Sequence, residues 1–288
     1  MRKGRIYLEL SAVIYGIIPT LSAFAYRGGA NGITLLLLRN ALALPVLYAI
    51  ILADGRKLRV TGNRLCRLII LGVFGGAMPV LLLYMSYQYI AVSLAAALRF
   101  VSPVIVVIMS SVLYYRRPER DIVSAAVVVS AGVYICAGAR AGVSGMGVLL
   151  ALLSGAFHAF FIFYTEFSGS DREDIAVVSF YVALITSIFT FIFGAAEGSL
   201  YFHMTPLSRS LAFIISLAST ICAMPLLQLG VRYSGAEEAG IFSAIELTTS
   251  MVLEWLVLGE MMSATQTIGS ALIVFGVLIV RKKSTLNK

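Results

Sequence analysis

Arg99, in the stretch SLAAALRFVSPV (93–104), and Glu246, in ELTTSMVLEWLVLGE (246–260), are ionisable side chains in runs otherwise built mainly of apolar and small residues. A guanidinium and a carboxylate at one depth can receive opposite ends of a polar or zwitterionic small molecule. They can equally neutralise one another and serve packing alone, and a single arginine can snorkel along lipid. His158, among Phe157, Phe160 and Phe161, adds a group that titrates near neutrality and suits a proton relay. A lone imidazole on an apolar helix also serves as simple packing. Tyr15 and Tyr84 offer flat faces for cargo, whereas Tyr26, Tyr87, Tyr89 and Tyr201 read as an interfacial belt. Arg39, in LLLLRNALAL, reads as structural, tying its helix to a neighbour or reaching outward.

Other chemistries lack their residues. Cys66, Cys136 and Cys222 are widely spaced, and His158 and His203 are too few and too isolated for a zinc centre. The sequence shows no glycine-rich phosphate loop, acidic metal-binding cluster or nucleophile–base set. The expectation is a protein without cofactor or metal that is not an enzyme.

Sixty per cent of the residues are hydrophobic and 12% charged, with a mean hydropathy of +0.95. Soluble domains carry about a quarter charged residues, so this chain reads as an integral membrane protein. The net charge of +8 comes from short basic clusters between apolar runs, a pattern of membrane topology rather than of nucleic-acid binding. A spanning helix needs about 20 mainly apolar residues, and ten segments qualify. They are 6–26, 32–53, 68–88, 92–115, 120–139, 146–166, 175–196, 209–230, 236–258 and 264–281. The basic start, Arg2, Lys3 and Arg5, leads into a first helix too long for a signal-peptide core.

Seventeen of the 22 Lys and Arg residues fall on the side of the termini and three, Arg27, Arg140 and Arg209, on the other. The remaining two are Arg39 and Arg99. Both termini are therefore expected in the cytoplasm of a multi-pass cell-membrane protein. At a rise of about 1.5 Å per residue, Arg99 lies about 10 Å below the outer boundary and Glu246 about 15 Å above the inner one. Across a core about 30 Å thick the two come within roughly one helical turn of the same level. They are expected partners.

Five spans per half is an odd number, so a duplicated half must be inserted upside down. GAMPVLLLYMSYQY (76–89) matches CAMPLLQLGVRYSG (222–235), with Met-Pro in register and a Tyr eight residues after each Pro. AVIYGIIPTLSAFAY (12–26) lies over ALLSGAFHAFFIFYT (151–165), pairing Gly16 with Gly155. The two halves are expected at 1–140 and 141–288. Pro79 and Pro225, at matched positions, each remove a helix hydrogen bond and are candidate hinges. Gly72 and Gly76 let the third helix pack closely.

The whole chain resembles the drug/metabolite transporter superfamily in its two-repeat form with paired EamA-type domains. SPVIVVIMSSVLYYRR (102–117) and ELTTSMVLEWLVLGE (246–260) occupy the places of the family's fourth repeat helix, with Gly259 and Glu260 matching its Gly-Glu ending. Arg39 also fits the family pattern, and Glu260 is read as structural. The chain departs at Arg116, where Glu is usual, and at Leu247, where Pro is usual. The resemblance implies an all-α membrane protein of ten helices, two inverted five-helix repeats around a central cavity that opens alternately to each side. It implies a secondary transporter of small polar metabolites, amino acids or related compounds, working as a monomer or homodimer, with protons as the coupling ion to be tested. A passive channel and a membrane-embedded transferase are the alternatives.

Overall fold

The computed structural model describes all residues except 1, 91, 115–118, 138–143, 260–263 and 287–288. Among the described residues it is helical throughout, with no strand. The first half runs α1 (Arg2–Arg27), α2 (Gly32–Ala41), α3 (Ala43–Ala53), α4 (Gly62–Ile70), α5 (Met78–Ser86), α6 (Val92–Arg99), α7 (Ser102–Leu113) and α8 (Arg120–Ala137). The second half runs α9 (Gly145–Phe167), α10 (Ile175–Ala196), α11 (Pro206–Ser216), α12 (Met224–Ser234), α13 (Ala236–Ser243), α14 (Ile245–Leu253) and α15 (Ala264–Leu286). Several of these join end to end, so they form ten spans close to the ten expected segments. Among the described residues seven stretches are long and apolar enough to cross a membrane, and Ser102–Leu113 and Thr267–Ile279 are shorter apolar helices. Leu10, Phe191, Ile192, Leu256 and Phe275 stand exposed on the outside, where water would penalise them and lipid would not.

The halves pack reciprocally. Helix α1 lies against α12 and α14 of the second half, and α9 lies against α5 and α6 of the first. The fifth span of each half, α8 and α15, pack on one another. Glycine makes the close approaches possible. A Cβ on Gly16 would stand 2.8 Å from the Glu246 carbonyl oxygen, and one on Gly155 would stand 2.5 Å from that of Arg99. On the third span, a Cβ on Gly72 would meet Ile185 at 2.7 Å, and one on Gly76 would strike the Thr186 hydroxyl of α10. The matched glycines therefore hold the first span of each half against the broken span of the other.

Most breaks follow from proline, which lacks an N–H and crowds the carbonyl four residues earlier. Pro45 thus parts α2 from α3 at Leu42, and Pro103 parts α6 from α7 at Phe100 and Val101. Pro79 and Pro225 instead follow seven-residue π-helical stretches, Leu71–Ala77 and Leu217–Ala223. The wider turn admits the proline ring without breaking the span. The break at Ala244, between α13 and α14, has no proline.

The face carrying the N-terminus, termed the terminal face, is tied by charge. Arg5 grips Glu238 with Nε at 2.8 Å and Nη2 at 2.6 Å. Arg64 and Arg67 meet Glu173 at 2.5 and 3.1 Å, and Arg56 bridges Asp54 and Asp174, each at 2.7 Å. Arg232 donates to the carbonyl oxygens of Asp171 and Glu173, and the Glu166 carboxylate accepts from the Ala236 backbone N–H. The opposite face shows neutral contacts between the halves. Asn31 caps α2 through Thr34 and donates to the Ser199 carbonyl at 2.5 Å, and Tyr201 N–H reaches the Thr34 hydroxyl at 2.8 Å.

Candidate functional site

A cavity of about 700 Å³ runs from Tyr26, Ala30 and Asn31 at the opposite face to Arg39, Arg99, His158 and Glu246 inside the bundle. Its walls come from both halves, from spans one to four and six to nine. Among the described residues, none of the terminal-face loops lines it.

Each of the three charges lining the cavity sits at a helix end of matching polarity. Arg39 lies in the last turn of α2 and Arg99 closes α6, where unpaired carbonyls give the negative end of the dipole. Glu246 lies in the first turn of α14, at the positive end. The breaks therefore stabilise charges that an unbroken span would leave to the hydrocarbon. Arg99 Nη1 stands 3.5 Å from Glu246 Oε1, in ion-pair range but beyond the usual hydrogen-bond length of about 2.7–3.2 Å. The guanidinium also approaches the Phe100 ring, 5.9 Å from its centroid.

Arg99 Nη2 lies 3.4 Å from His158 Nδ1. A guanidinium carries only donors, so Nδ1 is the acceptor and the ring proton is assigned to Nε2. That Nε2, Arg99 Nε and Arg39 Nε are the buried polar atoms of described lining residues without a hydrogen-bond partner. On the terminal side of the same group lies a second cavity of about 20 Å³, among Ser11, Tyr15, His158, Ser243 and Glu246. It can hold about one water.

Of the residues singled out from sequence, Arg99, Glu246, His158, Tyr15 and Tyr84 all line the cavity. Pro79 lines it too, and its carbonyl accepts from the Ser154 hydroxyl at 2.5 Å. Pro225 is not a lining residue, although its neighbour Met224 is. Arg39, expected to serve structure, contributes to the wall and also accepts the Thr220 hydroxyl on its carbonyl oxygen at 3.1 Å. Tyr26 and Tyr87, expected in a lipid-facing belt, turn to the cavity mouth instead, where the Tyr26 and Tyr84 hydroxyls stand 3.1 Å apart. Span-end position fixes their depth but not the face they take. Tyr84 lies flat over Gly32, whose missing side chain leaves room for the ring. Glu260 lies outside the described residues, as does Arg116.

The model of the EamA-like transporter family matches the chain twice, over residues 2–138 and 145–282. The chain belongs to the EamA-like transporter family. An uncharacterized transporter of Archaeoglobus fulgidus is 27% identical over 282 residues, covering 97% of this chain and 96% of the relative. The permease-like protein YdzE of Bacillus subtilis is 36% identical over 69 residues, covering 24% of this chain and 88% of its own. A solved crystal structure superposes with a TM-score of 0.81 at 19% identity, covering 97% of this chain and 96% of the other, which shows the shared fold. The family's two-repeat architecture accounts for the reciprocal packing of α1 and α9. In this EamA-like transporter the two spans that break at Phe100 and at Ala244 are the fourth of each half, and both ends turn to the one cavity.

Proposed function

We propose that the chain is a secondary carrier that moves a small polar metabolite, an amino acid or a related compound, across the cell membrane by alternating access, in the direction of export. The observation that supports this reading is the asymmetry of the central cavity. It opens at one face and ends on the Arg99–Glu246 pair, and no described residue of the charge-tied terminal-face loops lines it. With both termini in the cytoplasm, as the basic residues favour, this is the outward-open state. Pro79 and Pro225, each after a π-helical stretch, are the bending points in this reading, and the charged terminal face is what must part when the carrier reopens. Transport then needs no bond to be made or broken, so the chain is read as a carrier and not an enzyme. A proton is the coupling ion assigned, with His158 as its relay.

Counterflow in proteoliposomes tests the reading. A carrier preloaded with cargo accelerates uptake of labelled cargo from outside, because the loaded site returns faster than the empty one. Uptake indifferent to the preload would mean a pore, and the alternating-access reading would fall.

A further inference from the structure

The charges around the cavity do not balance. Arg39 and Arg99 contribute two guanidiniums and Glu246 one carboxylate, and His158, accepting at Nδ1 from Arg99, is neutral. Arginine stays protonated at any accessible pH, so this excess cannot be relieved by titration of the guanidiniums. Dipole matching reduces each charge by about half a unit and leaves the sign of the sum unchanged. Glu246 already has its counter-ion in Arg99 at 3.5 Å. Among the described residues Arg39 has no such partner: no carboxylate lies within ion-pair distance of it.

The hydrogen-bonding inventory leans the same way. The three buried, unpartnered lining atoms, Arg39 Nε, Arg99 Nε and His158 Nε2, are all donors. What the site lacks is acceptors and negative charge. The wall also carries Phe161 and, toward the mouth, Tyr84 and Tyr87, whose rings suit a flat apolar body.

We propose that the cargo is an organic anion, a carboxylate joined to a flat ring and lacking an ammonium group. The carboxylate lies at Arg39, opposite the Arg99–Glu246 pair, and the ring lies toward Tyr84 and Tyr87. Among amino acids and related compounds, this selects the relatives without a charged amine. An ammonium would have to compete with Arg99 for Glu246 while adding to an existing excess of positive charge. The inference rests on the carrier reading for its biology but not for its chemistry, because binding can be measured without transport.

The test uses three ring compounds of similar size, the anion 3-phenylpropionate, the zwitterion phenylalanine and the cation 2-phenylethylamine, on purified protein in nanodiscs. The expected order is anion, then zwitterion, then cation, with at least tenfold between the first two. Arg39→Gln should weaken 3-phenylpropionate at least tenfold and remove that order, and Arg39→Lys should keep it. Equal or tighter binding of phenylalanine overturns the proposal, as does absence of binding by all three. An order that persists in a folded Arg39→Gln variant overturns the placement of the carboxylate. Counterflow with any of the three separates the two readings. Exchange of phenylalanine alone would keep the carrier and refute the anion. Preload-independent flux of 3-phenylpropionate would keep the anion and refute the carrier.

Discussion

Gly155 of α9 lies directly against the carbonyl oxygen of Arg99, 2.5 Å from where its Cβ would stand. Pro103, four residues after Arg99, cannot donate to that carbonyl. One proline thus opens the helix beside the guanidinium, and one missing side chain lets the other half close over the gap. Gly155→Ala should force the backbones apart and destabilise the protein by about 1–3 kcal/mol, the usual cost of overpacking. Gly145→Ala, at a position with no atom within 4 Å, should change nothing. Thermal unfolding of the two variants in detergent makes the comparison, and equal midpoints would refute the packing account.

Arg99→Ala and Glu246→Ala should each strand a buried charge, at a cost of about 3–5 kcal/mol. The double variant should recover part of that loss, because neither charge remains. Denaturation of all four proteins closes the cycle, and strictly additive losses would mean that the 3.5 Å contact carries no coupling.

Ser243 lines the water-sized cavity between the charge group and the terminal face. Ser243→Cys should therefore resist a membrane-impermeant thiol reagent applied from the terminal face. Adding Arg5→Gln, which removes the grip on Glu238, should raise the labelling rate several-fold. An unchanged rate would show that this pair does not hold that face shut.

Asp171 is buried in the loop between α9 and α10, and Oδ1 has no hydrogen-bond partner. Burial raises its pKa above the ordinary carboxylate value of 3.8; Glu166 adds to the rise, and Arg172 and Arg232 oppose it. The folded state therefore holds this proton more tightly than the unfolded one, and stability falls as pH rises from 3.8 through the raised value. Asp171→Asn should remove that decline and leave a more stable protein at neutral pH. Unfolding midpoints at pH 4 and pH 7 decide it, and a parallel pH dependence in the two proteins would refute the assignment.

His158→Gln should abolish uptake driven by a pH gradient while leaving cargo binding intact. The imidazole faces Arg99 directly and shares its surroundings with Glu246 and Tyr15, so the readout is the pH profile of transport, not its rate alone. An unaltered profile would return His158 to packing.

Much of this was legible in the chain itself. Hydropathy gave the spans, and counting residues from each span's end put Arg99 and Glu246 at one level. Pro45 and Pro103 announce two of the breaks. The break at Ala244 is invisible because no proline announces it: Leu247 stands where the family resemblance leads one to expect proline. Arg39 was assigned to structure because depth alone does not reveal which face a side chain takes. The Arg5–Glu238 grip joins residues 233 positions apart, so no local pattern in the sequence announces it. The same rotational ambiguity hides the place of Tyr26 and Tyr87 at the cavity mouth.

The paired π-helical stretches before Met78-Pro79 and Met224-Pro225 also carry a date. A π turn is how a helix absorbs one extra residue without breaking, which rotates everything beyond it by most of a third of a turn. Both halves hold such a turn of seven residues at the same distance from the same dipeptide. Two independent insertions would have to strike matching positions on spans that run in opposite directions. A single insertion in one ancestral half, copied when the gene doubled, needs only one event. On that account the wide turn is older than the two-fold molecule.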